Sequence, residues 1–167
     1  FHGIAQLSKR LGSVRVLDYG SSTGETMKAV KDHFWIPPNV EDACYDPFVA
    51  GFDAEPEPAD MVICTDVLEH VEPECTMAVL DHIASLTRRI AFFSIALKHA
   101  NKKLSDGRNA HINLRSPEFW LREIHKRFVI SEAKVNADGE IVLAIGQSLS
   151  DVAELTTERN NAKRLAA

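Results

Sequence analysis

Val16 to Gly24 reads VLDYGSSTG. The apolar run VRVLDY, Val14 to Tyr19, stops at a glycine, and a second glycine four positions on opens a helical pattern. This is a strand–turn–helix junction, the unit from which alternating α/β folds are built. Glycine lets a ligand approach the backbone closely, and a helix N-terminus offers unbonded N–H groups. Only Gly20 and Gly24 are glycines here, so the G-x-G-x-x-G dinucleotide fingerprint fails, and the Gly-Lys-Ser/Thr ending of a phosphate loop is absent.

Outward from this junction, strand and helix patterns alternate. Thr23 to Phe34 places Met27, Val30 and Phe34 on one helical face, and Pro37-Pro38 closes it. Val40 to Tyr45 is a second strand, residues 47–59 a proline-rich loop, and Ala59 to Thr65 (ADMVICT) a third strand. Pro73 suits a first helical turn, with Met77, Leu80 and Ala84 following. Arg89 to Leu97 is a fourth strand. Ser116-Pro117-Glu118 starts a helix whose Trp120 and Ile124 face the core. Phe128 to Val135 and Glu140 to Gln147 flank four residues, too few for a parallel crossover, so they form an antiparallel hairpin. The expected fold is a Rossmann-like, mostly parallel sheet with helices on both faces and a C-terminal antiparallel hairpin. Residues 1–147 form the domain and 148–167 a polar helical tail, with Asp151 and Glu154 spaced as a capping pair.

The 167 residues suffice for one core, and 45% apolar with 26% charged residues excludes a disordered chain or a membrane-embedded one. A formal charge of −5 excludes a general basic coat for nucleic acid. Three cysteines with no CxxC pair argue against a disulfide scaffold and for the cytoplasm. The chain opens on Phe1 rather than Met, as expected where an N-terminal piece is missing. Between Lys31 and Arg88 lie 13 of the 24 acids and no Lys or Arg, whereas Arg88 to Arg127 carries 10 of the 19 basic residues. Two surfaces of different sign are expected.

The junction resembles motif I, D-x-G-x-G-x-G, of the class I S-adenosylmethionine-dependent methyltransferases, with Ser22 in place of the middle glycine. Tyr45-Asp46-Pro47 ends the second strand about 20 residues after the turn, where an acid accepts hydrogen bonds from a ribose diol. ICTDVLEHVEP, Ile63 to Pro73, resembles the family's D-V-L-E-H segment, which passes beside the adenine and the methyl-donor pocket. The late hairpin matches the family's seventh strand, antiparallel between the fifth and sixth. The resemblance covers residues 14–147 and implies S-adenosylmethionine as donor. It places Asp18, Gly20, Ser21, Ser22, Thr23, Gly24, Asp46, Pro47, Asp66, Val67 and Leu68 in the donor site. Asp46 and Asp60 stand only 14 positions apart, so the strand-3 edge of the family sheet is trimmed. The adenine pocket is then built around Phe52 and Asp53.

LKHANKKLSDGRNAHINLR, residues 97–115, leaves the carboxyl end of the fourth strand, where open α/β sheets hold ligands. Its DGRNAH stretch resembles one in small bacterial and phage methyltransferase-like proteins. Five basic residues and an Asp106-Gly107 turn that presents Arg108, Asn109 and His111 suit an anionic acceptor. That acceptor is a small molecule or nucleotide, with nucleic acid retained as a class. An oxygen acceptor must lose its proton, work suited to a histidine, and His111 and then His70 are the catalytic candidates. No metal is expected. In a second reading, Asp66, Glu69, His70 and His111 resemble the carboxylate–histidine set of metal-dependent small-RNA 3′-end 2′-O-methyltransferases. Two further classes stay open, a catalytically inactive donor-binding domain and a nucleotide-dependent oxidoreductase.

Overall fold

The computed structural model of the chain describes residues 14–25, 27–28, 40–153 and 155–156. Its six-stranded sheet comprises β1 (Val14–Tyr19), β2 (Val40–Tyr45), β3 (Ala59–Thr65), β4 (Thr87–Ala96), β5 (Val129–Val135) and β6 (Glu140–Gly146). The order is β2-β1-β3-β4-β6-β5. The β1–β2, β1–β3 and β3–β4 pairs are parallel, and β6 lies antiparallel between β4 and β5. This is the class I methyltransferase arrangement, with β2 as the edge strand among the described residues.

Alternate residues of the strands feed two cores. Leu17, Val62, Cys64, Phe93, Ile95 and Leu143 pack with Leu80 and Ile83 of the helix Thr76–Leu86 and with Trp120 and Ile124 of the helix Pro117–His125. Val14, Val16, Met61, Ile63 and Ile90 form the other core with Met27 and Leu155. Strands buried on both faces explain why apolar residues follow one another in β1 and β3 instead of alternating with polar ones.

Local chemistry sets most element ends. Ser116 caps the helix Pro117–His125, its Oγ accepting from the Phe119 N–H, and Pro117 occupies the first turn. Pro73 begins a 3₁₀ turn, Pro73–Cys75, and the α-helix starts at Thr76. In the β5–β6 hairpin, Asn136 Oδ1 accepts the Glu140 N–H at 3.0 Å and Gly139 takes a left-handed φ of 76°. The first helix runs from Glu25 rather than Thr23, and its expected Val30, Phe34 and Pro37-Pro38 lie outside the described residues. Glu154 also lies outside them. The cap seen is one turn earlier: Ser148 Oγ accepts from the Asp151 N–H and Asp151 Oδ2 from the Ser148 N–H. A Ser side chain reaches the third amide as readily as Asp151 would, and Asp151 also pairs with Arg89 of β4 at 3.2 Å. No helix among the described residues is long and apolar enough to cross a membrane.

Candidate functional site

The carboxyl ends of β1, β2, β3 and β4 bring together the glycine turn, Asp46, the Asp66–His70 segment and the 97–115 loop. The turn is built on left-handed backbone. Gly20 has φ 75°, Ser22 φ 50° and Gly24 φ 76°, so the serine adopts a left-handed conformation where motif I has its middle glycine. A Cβ on Gly20 would lie 2.4 Å and 2.8 Å from the two methyls of Val67. Gly20 is thus where the 66–68 segment seats on the turn.

The amides of the turn are largely committed. Gly20 and Ser21 both donate to the Tyr45 carbonyl, at 2.8 and 3.0 Å, and Gly24 donates to Ser21 O at 2.8 Å. Ser22 donates to Asp46 Oδ2 at 3.0 Å. The expectation of free N–H groups at this turn is therefore corrected. The chain uses them to tie β1 to β2, and what the turn offers is close backbone approach. Two buried polar atoms beside it, Asp18 Oδ2 and Ser21 Oγ, have no hydrogen-bond partner among the described residues. Orphaned polar atoms at the mouth of a parallel sheet suit a polar ligand without phosphate, which needs few amides but some acceptors.

Burial raises the Asp18 carboxyl from 3.8 to about 6, against the Met27 N–H, which acts to lower it. The folded protein holds this proton more tightly than the unfolded chain. The resulting stability is complete below 3.8 and is lost as pH rises through about 6. Asp18→Asn is expected to remove this decline, on the order of 3 kcal/mol. Urea unfolding of both proteins from about pH 4 to pH 7 reads it. Parallel stability profiles would refute the assignment.

Asp46 ends β2, and its two oxygens accept the amides of Ser22 and Phe48, each at 3.0 Å. The carboxylate is half-buried and has lone pairs left over beyond these two bonds. Pro47 and an exposed Phe48 follow. The 46–53 loop closes on itself through Asp46 N–H to Phe52 O at 2.9 Å, and Asp53 accepts the Gly51 amide. Phe52 comes within 3.5 Å of where a Gly24 Cβ would stand. It therefore covers the turn at the trimmed edge.

Asp66 leaves β3 in a left-handed conformation, φ 59°, and Val67 and Leu68 lead into the 3₁₀ turn Leu68–His70. Glu69 points inward and is fully buried, Oε1 accepting the Ala96 N–H at 2.6 Å. Burial, with the Asp66 carboxylate adding to it, raises its carboxyl to about 7. His70 and His111 meet edge to face, ring centroids 4.8 Å apart. His70 Nδ1 lies 2.9 Å from Ala110 O and His111 Nδ1 2.5 Å from Lys98 O. His70 Nε2 and His111 Nε2 lie 3.7 and 3.9 Å from Asp66 Oδ1. The two catalytic candidates thus converge on one carboxylate.

The 97–115 loop is ordered by its own hydrogen bonds. Leu104 N–H donates to Arg108 O, Ala110 N–H to Lys102 O, and Gly107 turns at φ 88°. Arg108 lays its fork on the Glu72 carboxylate, at 3.1 and 3.0 Å, and its Nε on Asp106 at 2.7 Å. Both carboxylates hold the guanidinium above its ordinary pKa range. An anion would have to displace Glu72 from it. Asn109 accepts the amides of Ala100 and His111 and donates to Ala100 O. Two of the three residues expected to grip the acceptor, Arg108 and Asn109, thus also brace the loop that carries the third, His111.

Asn113 escaped the sequence reading. It is buried, donates its N–H to Glu69 O at 3.0 Å, and its Nδ2 reaches Leu68 O at 3.1 Å and Thr76 Oγ1 at 2.8 Å. A lone Asn in a polar loop carries no local mark of such a role. Tyr19, His82 and Glu55 form a second chain nearby, Tyr19 Oη to His82 Nδ1 at 2.9 Å and His82 Nε2 to Glu55 at 3.0 Å. It ties the 47–59 loop to the helix Thr76–Leu86.

The methyltransferase-domain family profile matches residues 1–127. No curated protein sequence matches the chain. Among solved structures, the magnesium protoporphyrin IX methyltransferase of Synechocystis PCC 6803, with S-adenosylhomocysteine bound, is similar at TM-score 0.55 and 16% identity, over 88% of this chain and 81% of that one. The 1,6-didemethyltoxoflavin-N1-methyltransferase of Burkholderia thailandensis, with its acceptor and S-adenosylhomocysteine bound, gives TM-score 0.61 and 14% identity over 88% and 77%. An O-methyltransferase family 2 protein of Planctomyces limnophilus, in complex with apigenin, gives 0.57 and 12% over 81% and 51%.

Proposed function

The chain belongs to the methyltransferase-domain family, S-adenosylmethionine-dependent enzymes of class I, and from that premise we propose that it methylates a small anionic molecule held beside His70 and His111. The observation that carries this reading is the meeting, at one end of the sheet, of the glycine turn, Asp46 and the Asp66–Leu68 segment with two imidazoles. When bound, S-adenosylmethionine supplies an electrophilic methyl group on a cationic sulfur.

The residues fit that donor. Asp46 offers its carboxylate to the ribose hydroxyls, held in place by the Ser22 and Phe48 amides. Asp18 and Ser21 present unpartnered acceptors, and Gly20, Ser22, Thr23 and Gly24 supply backbone that can be closely approached. Pro47, Asp66, Val67 and Leu68 complete the wall. On the acceptor side, a backbone carbonyl only accepts, so each Nδ1 facing one carries a proton. In the neutral form of such a ring Nε2 is the basic nitrogen, able to take a proton from an acceptor hydroxyl lying over it. His111, less exposed than His70, is the first candidate. Arg108 and Asn109 act through the loop, and Lys98, Lys102 and Lys103 give the mouth its positive charge. The didemethyltoxoflavin and apigenin bound in those two complexes are small molecules, which favours that class over nucleic acid here.

Asp46→Ala is expected to weaken S-adenosylhomocysteine binding by ~1–3 kcal/mol, the scale of lost hydrogen bonds to a charged group. Calorimetric titration measures it. Unchanged affinity would remove Asp46 from the donor site, and a wild type that binds NAD but not S-adenosylhomocysteine would overturn the proposal itself.

A further inference from the structure

The geometry points to a divalent-metal site at Asp66, His70 and His111 that takes a first-row transition ion such as Zn²⁺ or Co²⁺. The three side chains offer ligand atoms that all lie within 4.8 Å of one another. Around an ion with bonds of ~2.1 Å, neighbouring ligand atoms stand ~3.0–3.5 Å apart. The Asp66 oxygen is 3.7 and 3.9 Å from the two Nε2 atoms and the whole set lies within 4.8 Å, so side-chain shifts of about an ångström close the site.

The tautomers are already those a metal requires. A ligating histidine usually donates its other N–H to a carbonyl or carboxylate, which fixes the ring and aims the free lone pair. Here Ala110 O and Lys98 O play that part for His70 and His111. Both carbonyls come from the 97–115 loop, whose own hydrogen bonds hold them. Asn109 accepts the His111 amide, and Asn113 donates to Glu69 O beside His70.

The carboxylate also lacks a fixed cation. No Lys or Arg nitrogen of the described residues lies within 4.0 Å of Asp66. Asp66 nevertheless holds a left-handed backbone, φ 59°, that turns its side chain toward the two rings. Beneath it, fully buried Glu69 leaves Oε2 without a hydrogen-bond partner among the described residues. Two imidazoles and one carboxylate are a facial set for first-row ions rather than for Ca²⁺ or Mg²⁺, which favour all-oxygen sites. Asp66 is 76% exposed and His70 39%, so the ion's remaining positions open toward solvent.

A ligated Nε2 can no longer accept a proton. An ion would therefore replace the imidazole base and hold the acceptor oxygen itself, lowering its pKa. That consequence, unlike the site, rests on the methyltransferase reading.

The test titrates Co²⁺ into the untagged, chelator-treated full chain. One equivalent is expected to give visible d–d absorption without thiolate charge-transfer bands, and Zn²⁺ to abolish it. Asparagine can copy the Nδ1 donor of histidine but not its Nε2. His70→Asn and His111→Asn should thus keep the carbonyl bonds while losing ~100-fold or more in ion affinity, beyond the loss for an outer-sphere partner. Asp66→Asn, tolerant of the left-handed backbone, should lose at least about 10-fold. The proposal is overturned if the wild type shows no d–d band, if thiolate bands appear, or if these variants bind Co²⁺ as tightly as the wild type. The S-adenosylhomocysteine melting shift is followed in parallel. Its loss in the His70 or His111 variant, neither of which lies in the donor wall, marks misfolding and makes the wild-type titration decisive. Its absence in a wild type that binds Co²⁺ would sink the methyltransferase reading and leave the metal site standing.

Discussion

Gly20→Ala is expected to cost ~2–4 kcal/mol of folding stability and to lower S-adenosylhomocysteine affinity by ~100-fold or more. Two effects add. The residue sits at φ 75°, where a Cβ costs about 1–2 kcal/mol. The new methyl would also stand 2.4 Å from one methyl of Val67 and 2.8 Å from the other. Neither side yields easily: the Gly20 N–H is bonded to Tyr45 O, and Val67 follows the constrained Asp66. Either the turn or the 66–68 segment must move, and both belong to the proposed donor site. Gly107→Ala is the control. Its φ of 88° is equally left-handed, but a Cβ there meets nothing within 4 Å. It should cost only the backbone strain and leave donor affinity unchanged. Urea unfolding and calorimetry on the two variants separate strain from clash. If both behave alike, the contact with Val67 has no weight. Val67→Ala in the Gly20→Ala background should recover part of the loss.

Asn113→Ala is expected to destabilise the protein by ~3–5 kcal/mol and to abolish methyl transfer once an acceptor is known. The truncated side chain would leave the buried Leu68 carbonyl with only the long bond from the Val71 N–H and the Thr76 hydroxyl with only its long bond to Glu72 O, and would open a cavity. It would also release Arg115, whose Nε lies 3.1 Å from Asn113 Oδ1. The loop behind Asn113 carries the carbonyls of Lys98 and Ala110, so both imidazoles should lose their fixed tautomers and positions. Donor affinity should fall much less, because Asp46 and the glycine turn rest on β1 and β2. Thermal unfolding with donor titration reads both quantities. Marginal destabilisation, within about 1 kcal/mol, would show that water takes over these bonds.

Much of the fold was legible because the signals are local. The glycine turn, the Ser116-Pro117 helix start and the Asn136–Gly139 hairpin each specify backbone dihedrals or a cap within a few residues. The apolar runs of β1, β3 and β4 reveal strands buried on both faces. Local signals also mislead where two caps compete. Asp151 and Glu154 have the right spacing, yet Ser148 and Asp151 form the cap because Asp151 is drawn against β4 by Arg89.

Hydrophobic periodicity and turn chemistry act over short stretches of chain. They suffice for the alternating α/β fold, its antiparallel hairpin and the set of residues at the sheet's carboxyl end. Which partners the polar groups at that end take was decided by packing. Arg108 and Glu72 are 36 positions apart, and nothing local says that their side chains lock together. The turn's amides were legible as donors, but that Tyr45 and Asp46 consume them depended on which strand pairs with β1. His70 and His111 were legible as reactive types. Their common focus on Asp66 came from a loop folding back until two carbonyls fixed both rings. Hydrogen bonds and ion pairs are short-ranged and directional, so their partners are set by where the packed chain runs and not by spacing along it.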